Sequence, residues 1–121
     1  MGQLSEEQHI RFAAALERVG NDDKLLVSLA QITAEDAPIL MAQLECNIES
    51  GDLNSVAATG HALKGLLSTY ETGSPVAELQ LLIEAARSGD RTEVRKVLAY
   101  QRPILIEFIG EVQKLTARST T

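Results

Sequence analysis

Residues 53–70 read LNSVAATGHALKGLLSTY, and the spacing of their apolar side chains decides what kind of chain this is. Val56, Leu63, Leu67 and Tyr70 recur at helical intervals, so the segment is predicted as a helix with one buried stripe. At about 100° per residue, His61 sits roughly 200° from Leu63, on the side facing out. Asn54, Ala58, Lys64, Gly65 and Ser68 share that side. Gly60 and Gly65 bracket the histidine, although a glycine costs ~1 kcal/mol relative to alanine inside a helix. The sequence reading of both is clearance: no side chain beside the ring, so that another surface can come close.

The flanking sequence extends the helical pattern in both directions. "ESGD" at 49–52 and "RSGD" at 87–90 each supply a glycine for a left-handed helix end and an aspartate to cap the next helix. Upstream, Leu25, Leu29, Ile32, Leu40, Leu44 and Ile48 mark a long helix capped by Asn21 or Asp22. Pro38 within it lacks a donor and predicts a kink, or a restart near Thr33. A further helix is expected from about Ser5 to Val19, with Phe12, Leu16 and Val19 inward and Gly20 as its stop. Downstream, Ser74 and Pro75 read as the cap and first position of a helix that buries Val76, Leu79, Ile83 and Ala86. The last helix runs from about Thr92 to Ala117, with Pro103 expected to bend or divide it. A polar tail follows from about residue 117. No strand pattern competes. The expected fold is all-α: an antiparallel, up-down four-helix bundle with an additional short N-terminal helix, formed by residues 1–121 as one domain.

Composition agrees and excludes several functions. Only 3% of residues are aromatic, and the 45% hydrophobic fraction is mainly Leu, Ala, Val and Ile, which favours helices. A net charge of −6 without a basic cluster argues against nucleic-acid binding, which needs positive charge to displace counterions. Cys46 is the sole cysteine, so no internal disulfide forms, and it reads as a small, partly buried hydrophobe in a reducing compartment. No apolar run is seen to approach the ~20 residues of a membrane span, and the acidic N-terminus is unlike a signal peptide. The expected location is the cytoplasm, without membrane association. His9 lies near Glu6 and Glu7, but two histidines without a matching carboxylate cluster predict no metal site.

An exposed imidazole suits nucleophilic chemistry. Its neutral form, accessible near physiological pH, has a free nitrogen that can attack phosphorus and carry a phosphoryl group. An ammonium one turn away offsets the oxygens' charge, and phosphoryl transfer asks mainly for positioning and electrostatics.

At these residues the sequence resembles the histidine-containing phosphotransfer (HPt) domain, the helical module of two-component phosphorelays. The family motif H-x-[LI]-K-G is met by "HALKG" at His61, Leu63, Lys64 and Gly65, and "LAQITAEDAPILMAQLECNIESGD" is similar to the family's long second helix. The resemblance implies that His61 is the phosphoacceptor, that Lys64, Gly65 and Ser68 support the phosphoryl group, and that Gly60, Ala58 and Leu66 belong to the docking surface. It further implies a monomeric phosphocarrier without kinase activity, working with response-regulator receiver domains or a hybrid sensor histidine kinase. No cofactor is implied for this chain, because Mg²⁺ belongs to the receiver partner. Leu66 and Glu71 stand where the family commonly has small residues and a glycine. Two other readings are a helical adaptor that binds a receiver or helical partner without phosphotransfer, and a domain excised from a larger kinase.

Overall fold

The computed structural model describes residues 4–116. Among them six α-helices form and no strand: α1 (Glu6–Arg11), α2 (Ala13–Arg18), α3 (Asp23–Ser50), α4 (Leu53–Leu67), α5 (Leu79–Arg87) and α6 (Arg91–Lys114). The expected polar tail lies outside the described residues.

Local chemistry sets most of the helix ends. Asp22, Asp52 and Asp90 each accept a backbone N–H from three residues on, capping α3, α4 and α6. Asp52 also accepts the Ser55 hydroxyl at 2.7 Å, and that bond holds its carboxyl below the usual range. Gly51 ends α3 at φ 75°, a left-handed conformation that side chains resist.

The long helices pack in a closed order. α3 lies against α4 and α6, while α5 lies against α4 and α6. Hydrogen bonds fix the pair directions. Thr33 meets Tyr70 and Asn47 meets Thr59, so α3 and α4 run oppositely. Gln113 meets Ala34 and Arg102 meets Glu45, so α3 and α6 do too. The core they enclose includes Leu26, Leu44, Val56, Leu63, Leu67, Leu82, Ile83 and Leu105, all fully buried. Burying such side chains contributes about 1.5–3 kcal/mol each before conformational entropy is set against it.

The structure corrects the sequence reading in several places. The N-terminal helix is two short helices, broken at Phe12, whose φ/ψ of −109°/28° leave the helical basin. Phe12 is buried edge-on against Tyr70 at 6.4 Å between ring centroids, and that contact outweighs straight propagation. α1 buries nothing and is held by polar side chains, among them Arg11 on Glu71 and Glu111. α3 continues through Pro38 with no restart at Thr33. Proline removes the N–H that Ala34's carbonyl would accept, and the Gln113 side chain donates to that carbonyl from α6 at 3.4 Å. α6 likewise stays undivided at Pro103.

Two further differences concern which faces are covered. Leu25 and Ile32, read as core, are exposed on α3, as is Ile39. The buried stripe instead runs through Leu26, Ala30, Thr33, Ala37, Met41, Leu44 and Ile48, where small residues allow close packing. Cys46 is exposed rather than partly buried. α3 also contains an 18-residue window of mean hydropathy 1.3, enough by length and composition to span a membrane, contrary to the expectation that no run approaches this. In the fold its buried stripe packs on α4 and α6. Finally, α5 begins at Leu79 and not at Pro75. The preceding residues turn through three-residue hydrogen bonds, Leu79 to Val76 and Gln80 to Ala77, and buried Gln101 donates to the Glu78 carbonyl at 2.7 Å.

Candidate functional site

α4 is fastened along its length before any functional side chain is considered. Near its start, the Asn47 amide donates to the Thr59 hydroxyl at 2.8 Å and to the Ser55 carbonyl at 3.3 Å. Just past its end, Tyr70 is buried 2.8 Å from Thr33. The Thr33 hydroxyl also donates to the Leu29 carbonyl at 3.2 Å, so one chain of hydrogen bonds ties Tyr70 to the backbone of α3. Burial pushes the Tyr70 phenol above its ordinary value, with the Thr33 contact opposing.

His61 is exposed on the outer side of α4, as are Ala58 and Gly65, three residues before it and four after. A side chain built at Gly65 would meet nothing within 4 Å, so the space beside His61 is open there. Lys64 is half-buried and leans toward α5, where its Nζ donates to Gln80 Oε1 at 3.0 Å. The Gln80 amide in turn donates to Glu84 Oε2 at 3.4 Å, one turn along α5. Leu66 is half-buried against the core and presents only part of its surface.

Two residues expected at the site are placed differently. Gly60 is buried, and a Cβ there would lie 3.2 Å from Ile83 Cγ1. Its missing side chain lets α5 approach α4; it is not docking surface. Ser68 stands at the helix end with its hydroxyl donating back to the Lys64 carbonyl and, at 3.3 Å, to that of Gly65. Its proton is committed to the backbone. What remains together on the open side is His61, Ala58 and Gly65, with Lys64 at the α4–α5 seam.

Sequence reasoning missed Gln80 and Glu84. Their four-residue spacing is legible on α5, but nothing local announces that Gln80 reaches Lys64. In the turn after α4, the sequence marks only Glu71, where a glycine is common in the family it resembles. Glu71 Oε2 accepts the Gly73 N–H at 2.9 Å, and Oε1 accepts from Arg11 at 3.1 Å. The Gly73 bond is the main cause holding this carboxyl below its usual range; partial burial opposes it and Arg11 adds to it. Elsewhere, His9 has Asp23 Oδ2 2.8 Å from Nε2 and the Ser5 carbonyl 2.9 Å from Nδ1. Among the described residues, no group of three or more His, Cys, Asp or Glu side chains is placed to hold a metal ion.

No family model matches the chain, and neither the curated proteins nor the solved structures contain a significant match. The resemblance to phosphotransfer domains therefore rests on the residues of the motif and their setting. Chemically, the site offers an accessible nucleophile, a cation one turn away and an unobstructed approach on one side.

Proposed function

We propose that this chain is a phosphorelay intermediate that carries a phosphoryl group on His61. In this reading the closed packing of α3 to α6 is an antiparallel up-down four-helix bundle with α1 and α2 appended. An imidazole nitrogen of His61 attacks the phosphorus of a receiver's aspartyl phosphate. The P–N bond forms as the P–O bond breaks, the aspartate leaves as a carboxylate, and the imidazole's other N–H can lose its proton to solvent. The reverse displacement, by the carboxylate of a second receiver, returns the histidine. Lys64 offsets charge on the phosphoryl oxygens, Gly65 leaves room for them, and Mg²⁺ is held by the receiver. The chain needs no kinase activity of its own, and the cytoplasm, where receivers work, is the compartment proposed.

The observation that carries this reading is His61 exposed beside open Gly65, with the Lys64 ammonium on the neighbouring seam. The test is acid-labile label from a panel of phosphorylated receivers. Uptake is expected in the wild type and in His9→Gln and absent in His61→Gln; uptake by His61→Gln would sink the assignment.

One observation favours the adaptor alternative. Lys64 already has Gln80 as a partner, so its ammonium is not waiting free for phosphate. An adaptor would bind receivers equally well after His61→Gln and never take label.

A further inference from the structure

The seam between α3 and α6 lies across the closed packing order from the α4–α5 seam that carries His61 and Lys64. It contains two adjoining grooves of about 300 and 240 Å³. The Arg102–Glu45 bridge, at 2.6 Å, borders both. Charge divides along this seam by helix. The α3 side carries Glu45 and Glu49, while the α6 side carries Arg95 and Arg102. Because the helices run oppositely, Glu45 is level with Arg102, and Glu49 shares a groove with Arg95. Ile106, 45% exposed, stands among exposed Pro38 and Ala42.

This pattern is self-complementary. A two-fold axis running along the seam sets α3 of one copy opposite α6 of the other, preserving height. Each carboxylate row then meets a guanidinium row, with Ile106 over the partner copy's α3. A face two helices wide and as long as the 24-residue α6 covers roughly 700 Å². That is close to the ~800 Å² per partner of a standard interface. We infer that two copies of this chain pair through their α3–α6 faces, in place of the expected monomer, leaving both His61 sites outward. The inference stands independently of phosphotransfer.

Charge reversal tests it in trans. Arg102→Glu and Glu45→Arg each make the seam like-charged, so each variant alone should lose the dimer, weakening association ~100-fold or more. Mixed one to one, every facing pair is complementary and dimers should return. Sedimentation equilibrium of the full chain reads both, with circular dichroism checking helicity. Ile106→Asp, which leaves the ion pair in place, should also yield monomers. A wild type that stays monomeric up to ~1 mM overturns the inference. So does a mixture that fails to associate, or a dimer indifferent to Arg102→Glu or Ile106→Asp.

Discussion

The two glycines around His61 make opposite predictions for one substitution. Replacing either with alanine removes the helix penalty of glycine, a gain of ~1 kcal/mol. At Gly65 nothing lies within 4 Å of the new methyl, so the full gain should appear, raising the melting temperature by about 3–6 °C. At Gly60 the methyl would stand 3.2 Å from Ile83 Cγ1, and Ile83 is fully buried. Overpacking of this kind costs about 1–3 kcal/mol, so Gly60→Ala should range from neutral to ~2 kcal/mol destabilised. The two variants should thus differ by ~1–3 kcal/mol in urea or thermal unfolding. A double-mutant cycle with Ile83→Ala isolates the contact: beside the smaller residue, Gly60→Ala should turn stabilising. If Gly60→Ala proves as stable as Gly65→Ala, the packing argument is wrong. Under the proposed function, Gly65→Ala should also slow phosphoryl uptake while making the protein more stable. Gain in stability with loss of transfer would mark Gly65 as kept for clearance.

Removing the Tyr70 hydroxyl by Tyr70→Phe should cost ~1 kcal/mol in thermal unfolding at neutral pH, since one buried hydrogen bond to Thr33 is lost. Tyr70 is also raised from 10.0, so the native state holds its proton longer than the unfolded chain does; stability is lost as pH climbs past 10, and Tyr70→Phe should flatten that alkaline slope. Glu71 is lowered from 4.5, so its contribution is present above that value and disappears as pH falls through the lower native one. Glu71→Gln should flatten the acid limb of an unfolding-versus-pH curve, and an unchanged limb would remove Glu71 from the account of the turn.

Helix ends were legible because they are decided locally. Asp52, Asp90 and Gly51 act through residues no more than five positions away, and their spacing is visible in any reading of the chain. The outward direction of His61 was legible for the same reason, as periodicity around one helix. α3 was harder, since it carries two apolar stripes. The larger side chains Leu25, Ile32 and Ile39 are on the open one, and only close packing by Ala30 and Ala37 selects the other. The burial of Gly60 does have a local signal: it lies four residues after Val56 and three before Leu63, within the buried stripe. The start of α5 and the Lys64–Gln80 bond depend on groups brought together by folding. Gln101 reaches Glu78 across 23 residues, and no local pattern encodes that.

The contact between Gly60 and Ile83 has a kinetic consequence for the neighbouring residue. For α4 to roll about its axis, its backbone would have to move against a fully buried side chain, with Asn47 and Thr33 of α3 holding Thr59 and Tyr70. The azimuth of His61 is therefore fixed in the free protein. Under the proposed function, an arriving receiver would meet a finished surface, and its encounter rate would be governed by diffusion and orientation, ~10⁵–10⁷ M⁻¹s⁻¹ for proteins, without a preceding rearrangement of the helix.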